Sequence, residues 1–211
     1  MRLTFLLLLL PGLTLAQRPL TSPSPARPAP AKPAALAKPA ATGKHAQPLP
    51  NGSVAWSGSR QLTVTDFQGK PGPAEPHAAL TSATIDARGA CHGDVFTADV
   101  RAVFDPATYW VREPAAITAA LLRHEQLHFD IAEIYARRLR LRLAAARPDC
   151  VQLQTTFNRL TQAVYAEWEH EEDRYDQETN HGLNPTQQAF WERQTAVRLQ
   201  QLAAYALKEA E

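Results

Sequence analysis

The sequence predicts an α+β fold: a small, mainly antiparallel N-terminal sheet followed by a helical half. Val95 to Phe104 alternates apolar and polar side chains, as a strand with one face on a core and the other towards water must. From Pro114 to about Ala145 apolar residues recur at helical spacing with no further proline. A second helical stripe follows, with Leu153, Phe157, Leu160, Val164 and Trp168 at steps of three and four. With 211 residues, 45% of them hydrophobic, the chain can bury one core and hardly two.

Taken in order, the chain opens on a targeting signal. Arg2 precedes the apolar run Leu3–Leu10, Pro11 and Gly12 break it, and Thr14-Leu15-Ala16 ends in residues suited to cleavage. That run is short of the ~20 residues a bilayer requires. Residues 1–16 are therefore expected to be removed on export, leaving no integral membrane span. Residues 17–50 are dominated by Pro and Ala, with Lys32, Lys38 and Lys44 spaced along them, the composition of a disordered linker. The folded domain is expected over 51–211.

Within it, Leu62 and Val64 alternate with Thr63 and Thr65, suggesting a short strand that ends near Asp66-Phe67. Gly69 to Pro76 is a loop. Thr81–Ala87 is a second strand, and Val95–Phe104 is the clearest one. Pro106–Pro114 turns the chain, Pro114 suiting the first turn of the long helix. Arg137, Arg138, Arg140 and Arg142 crowd the far half of that helix and read as a solvated end that complements its dipole. Arg147-Pro148-Asp149 stops it. A further helix spans about Val151–Tyr175 and ends in the polar run Glu169, His170, Glu171, Glu172, Asp173. The last helix starts at Asn184-Pro185, with Phe190, Val197 and Ala204 along one face.

Bulk properties exclude some partners and suggest a compartment. A net charge of +1 gives no basis for binding nucleic acid or an acidic membrane surface. Cys91 and Cys150 are the two cysteines, and in an exported chain an even count favours a disulfide. An unstrained bridge of that span stabilises by roughly 4 kcal/mol in the chain-entropy model. The rival, a metal site built on Cys91 and His92, is weaker because adjacent residues rarely bind one metal together.

The chemistry concentrates in Leu121–Arg137, LLRHEQLHFDIAEIYAR. Residues four apart on a helix share a face. His124 and His128 can therefore reach one Zn²⁺, with Glu125 placed beside a water at the metal. A catalytic zinc takes a third protein ligand and keeps one position open. Asp130 and Glu133 fall off the histidine face, Glu133 lying about 140° around the helix from His128. They are placed to orient a ligand from behind. A better source of the third ligand is Tyr175-Asp176-Gln177-Glu178-Thr179-Asn180-His181-Gly182. His181 precedes a helix-stopping glycine and is favoured; Asp176 and Glu178 are its rivals. Tyr175 is a candidate hydrogen-bond donor to an oxyanion, or else a core residue.

The strings RHEQLHFDIAEIYAR, YDQETNHG and RQLTVTDFQGKP together resemble the domain-of-unknown-function family 922, whose members are predicted secreted, Zn-dependent bacterial proteases. The resemblance spans roughly Trp56 to Tyr205. It implies a zincin-like domain binding one Zn²⁺ per chain, with His124 and His128 as ligands and Glu125 as catalytic base. His181 then becomes the natural third ligand. The function expected on this basis is that of an exported, periplasmic or secreted, zinc metallopeptidase acting on a peptide or protein. Two other readings stay open: a zinc-stabilised envelope binding module without turnover, and a zinc amidase acting on cell-wall material.

Overall fold

A computed structural model describes Leu49 and residues 52–70, 79–80, 83–108, 110–111 and 117–208. The expected leader, and the linker apart from Leu49, lie outside these residues. The architecture is α+β, as the patterning predicts. Strand β1 (Val54–Ala55) pairs antiparallel with β4 (Val95–Phe104), and β4 pairs antiparallel with β3 (Thr84–His92), giving the order β1-β4-β3. Two short segments, β2 (Ala79–Leu80) and β5 (Trp110–Val111), form a separate antiparallel pair. Three helices follow: α1 (Ala119–Ala146), α2 (Asn158–Thr179) and α3 (Pro185–Gln201).

The β3–β4 hairpin turns through Gly93 and Asp94, with Gly93 at φ +62° where a side chain would be strained. Ile85, Val100, Ala102 and Phe104 send one face of the hairpin into the core. On the opposite face Asp86 pairs with Arg88 at 2.8 Å, and Asp99 with Arg101 at 2.8 Å. Alternation thus reports burial in β4 up to Ala102, after which Val103 on the other face is buried as well. It fails at residues 62–66, where the expected strand is a 3-10 turn at Val64–Asp66. The Asp66 carboxylate accepts from the Thr63 backbone N–H (2.7 Å) and hydroxyl (2.9 Å), so a local polar side chain bends the segment. The second strand begins at Thr84 and runs on to His92.

Helix α1 is the axis of the molecule. The Thr118 hydroxyl caps its start by accepting from Leu121 N–H at 3.1 Å, and Arg147 ends it in a left-handed conformation, φ +45°, before Pro148. It packs on the sheet, on α2 and on α3, so from His124 to Ala136 almost every side chain is buried whatever its polarity. The first turn expected at Pro114 lies outside the described residues, and the described helix starts at Ala119. Two of the four arginines of its far half, Arg137 and Arg140, are not part of a solvated end, whereas Arg138 and Arg142 are partly exposed beside Glu167. Arg137 is buried, and Arg140 reaches across to Val100 O (2.9 Å) and Tyr205 O (2.5 Å).

The α1–α2 connection is pinned by the Cys91–Cys150 disulfide, with Cα atoms 5.9 Å apart. Leu153–Phe157 forms one wide turn, and α2 proper starts at Asn158, later than its apolar stripe suggests. That turn lies on β3 at Gly89, where a Cβ would come within 3.1 Å of Leu153 and 3.3 Å of Phe157. Asn184 caps α3, accepting from Gln187 N–H at 3.2 Å, with Pro185 in its first turn. The buried face of α3 is Gln188, Trp191 and Thr195, not Phe190, Val197 and Ala204, which are exposed. Among the described residues no helix is long and apolar enough to cross a membrane.

Candidate metal centre

Helix α1 places His124 and His128 one turn apart, their rings edge to face with centroids 4.7 Å apart. Helix α2 runs alongside and presents Glu172, Tyr175 and Asp176 to the pair. The Tyr175 ring stacks on His124 (4.7 Å, 25°) and meets His128 edge-on (4.8 Å, 75°), forming the wall that sets both imidazoles. Three atoms then converge. His124 Nε2 and His128 Nε2 are 3.2 Å apart, and Asp176 Oδ1 lies 3.1 Å from the first and 3.2 Å from the second. These residues could hold a metal ion.

The outer nitrogens are held separately. His128 Nδ1 contacts Glu172, whose other oxygen accepts from Trp168 Nε1 at 2.9 Å. His124 Nδ1 faces Gln188 Oε1 at 3.4 Å, and that oxygen also accepts from the Tyr175 hydroxyl at 2.8 Å. With each Nδ1 turned to an oxygen, the two Nε2 atoms point at each other and at a carboxylate. Three such atoms within 3.2 Å need a positive charge among them, either a proton on an imidazole or a metal ion. Tetrahedral zinc, with bonds of about 2.0–2.1 Å, separates its ligand atoms by about 3.3 Å, which is the size of this triangle. The residues present therefore fit the metal.

Protonation follows the same logic. Burial alone would lower the His128 pKa, but the Glu172 carboxylate and the bonds to Asp176 and Glu172 raise it to about 10. Burial likewise opposes ionisation of Asp176, and hydrogen bonds from His124 and His128 override it, holding its carboxyl well below the usual range. Tyr175 is pushed well above a normal phenol, by burial first and by the charges of Glu125, Asp176 and Glu172, against its bond to Gln188. Glu125 itself is 5% exposed and makes no hydrogen bond or ion pair among the described residues. Its charge is nevertheless felt at both His128 and Tyr175.

Of the residues singled out in the sequence, the structure gathers His124, Glu125, His128, Tyr175 and Asp176. Asp176, a rival, occupies the place expected of His181. His181 stands just outside the triangle, its Nδ1 3.5 Å from Asp176 Oδ1 and its side chain 61% exposed. Glu178 is turned to Trp191, whose Nε1 donates to it at 2.8 Å. Asp130 and Glu133 do not touch the histidines. Asp130 accepts from Trp56 (2.7 Å) and Gln126 (2.8 Å), and Glu133 pairs with Arg137 and Arg140. Tyr175 is fully buried with its hydroxyl spent on Gln188, which makes it the wall of the site rather than an oxyanion donor.

Two contributors, Glu172 and Gln188, were not singled out for the site, and a third, Gly182, was read only as a helix stop. Glu172 hides in an acidic run, although Trp168, Glu172 and Asp176 at four-residue steps trace one face of α2. Gln188 arrives from α3 with no signal in its spacing. Gly182, at φ +79°, lies on His124, where a Cβ would sit 3.0 Å from both Cβ and Cγ of that residue. A glycine is required there by conformation and by space alike.

The model of a family described as bacterial proteins of unknown function, DUF922, matches residues 57–182. The chain belongs to this family. The match covers more than half of the sequence and ends on Gly182, so it takes in α1, α2 and the turn that closes over His124. No curated protein and no solved structure matches the chain.

Proposed function

We propose that this member of DUF922 is an exported zinc metallopeptidase. The observation that carries the reading is the 3.1–3.2 Å triangle of His124, His128 and Asp176 beside a buried carboxylate, Glu125, that makes no hydrogen bond or ion pair among the described residues. When bound, zinc supplies a Lewis acid that polarises the scissile carbonyl and makes water more acidic. The remaining work falls to the chain. Glu172 and Gln188 fix the ring orientations through Nδ1, and Tyr175 backs both rings. Glu125 takes the proton of the attacking water on its carboxylate and passes it to the leaving amine. A merely structural metal centre has no task for such a carboxylate. The Cys91–Cys150 bridge is at home in an oxidising compartment, which supports a periplasmic or secreted location.

Glu125→Gln tests the reading. Zinc content should stay at one per chain, while turnover in a proteome-wide cleavage screen against wild type falls by about 10²- to 10⁴-fold. Equal cleavage by the two proteins would remove Glu125 as the base. Cleavage of cell-wall amides in place of peptides would move the substrate to that class.

A further inference from the structure

We infer that Glu192, a partly exposed carboxylate on α3, is a positioning residue for the candidate metal centre: it holds the Gln188 amide with its oxygen towards His124. The inference rests on the zinc part of the metallopeptidase reading and deepens it. Gln188 is 4% exposed and enters the site from near the start of α3. Its Oε1 accepts from the Tyr175 hydroxyl at 2.8 Å and faces His124 Nδ1 at 3.4 Å. Its Nε2 donates to Glu192 Oε1 at 3.2 Å, about one helical turn further on. A neutral imidazole donates from one nitrogen and accepts at the other. An oxygen set before Nδ1 favours the proton there and leaves Nε2 to the metal.

An amide has nearly the same shape either way round, so something must decide which end meets the histidine. With oxygen and nitrogen exchanged, the amide N–H would face Nδ1, draw the imidazole proton to Nε2 and block the nitrogen that the metal needs. The Tyr175 hydroxyl does not decide between the two. It has a second acceptor, His124 O at 3.2 Å, so it can donate there and accept from the exchanged amide. Glu192 does decide. An ionised carboxylate only accepts, and the amide meets it only with Nε2–H. Arg123 of α1 lies 3.6 Å from the same Glu192 oxygen, so the carboxylate is approached from both helices. The orientation of a buried candidate ligand is thus set by a side chain at the surface.

The test compares the zinc affinity of wild type, Glu192→Gln and Glu192→Met by competition with a chelator. Metal-free melting temperatures, measured alongside, show that each protein is folded before zinc is added. Both variants remove one charge, but only the glutamine keeps an oxygen that accepts from Gln188. Expected for Glu192→Met is roughly 10-fold weaker zinc binding, the lower end for a group that orients a ligand from behind. Glu192→Gln should bind zinc much as wild type does. In a Gln188→Met background, the Glu192→Met change should have no further effect. Wild-type affinity in Glu192→Met would overturn the inference. So would an equal loss in Glu192→Gln, which would leave only the charge, or an undiminished further loss in the Gln188→Met background. Failure of wild type to bind zinc would sink the inference and the metal reading together. The peptidase step fails separately, in the cleavage screen of Glu125→Gln, which the zinc titration does not involve.

Discussion

Helix α1 carries two buried polar clusters about two turns apart, and they are finished in different ways. In the later one, Glu133 binds Arg137 at 2.8 Å and Arg140 at 3.1 Å. Three further guanidinium N–H groups donate to the carbonyls of Leu199, Val100 and Tyr205, and Arg137 lies 5.1 Å over the Trp56 ring. Donors and acceptors there close on one another. In the earlier one, Glu125, Glu172 and Asp176 surround two imidazoles, and among the described residues none of the three pairs with a lysine or arginine. Carboxylates withdrawn from water are costly without a positive partner. The Glu133 cluster takes its positive charge from two arginines. The His124 cluster takes it from a protonated imidazole or from a metal ion.

The largest effects should come from breaking the His124 cluster. Asp176→Ala removes one corner of the triangle and should abolish zinc retention at neutral pH, as should His128→Ala, measured by metal analysis after dialysis against a chelator. Full occupancy in Asp176→Ala would return the third-ligand role to another residue. Glu172→Gln leaves the triangle and removes only the carboxylate behind His128. Its zinc affinity should fall by about 10- to 100-fold, the range for a group that orients a ligand. An unaltered affinity would reduce Glu172 to a packing residue.

The same contrast explains what the sequence discloses. Helix α1 is legible because it holds no proline or glycine and has a threonine cap, and β4 because one face is dry. His124 and His128 are legible because their spacing alone puts them on one face. The choice of Asp176 over His181 is not, since it depends on how α2 is rotated against α1. It depends too on a run of left-handed residues that turns His181 to the rim. The identity of Asp66 as a bend-maker, and of Arg137 and Arg140 as buried groups, is invisible for a related reason. A charged side chain reads as solvated unless its distant partner is known, and Arg140's partners lie as far off as Tyr205. On α3, counting apolar residues selects Phe190 and Val197, yet Gln188 and Thr195 are the buried ones. A helix that packs on a polar centre buries polar residues.

Breaking the closed cluster should cost stability and leave metal binding alone. Arg137→Met strands Glu133 with one guanidinium fewer and vacates the contact over Trp56. Removing one partner of a buried pair costs about 3–5 kcal/mol. In a domain of this size that lowers the melting temperature by on the order of 10 °C. Zinc affinity of the folded variant should match wild type. A variant that loses zinc while keeping its melting temperature would show that the two clusters are coupled through α1 and undo the contrast.

The smallest effect separates the clusters by pH. Glu171 on α2 contacts Arg198 of α3, one of its two contacts running from Nη2 at 2.9 Å, and accepts from the Tyr135 hydroxyl of α1. Burial raises its pKa, but the bonds from Arg198 and Tyr135 outweigh it and hold the carboxyl below its ordinary value of 4.5. A carboxylate whose folded pKa is depressed adds stability above the unfolded value, and loses it as pH falls through the folded one. Wild type should therefore weaken between pH 5 and the acid range, as roughly bounded by those two values. Glu171→Gln, unable to ionise, should be less stable at pH 7 and converge on wild type in acid. Urea denaturation of both proteins, stripped of metal with a chelator, at each pH isolates this term. A gap between them that stayed constant with pH would mean that Glu171 acts as a neutral hydrogen-bonding group, and that α2 and α3 are joined without charge.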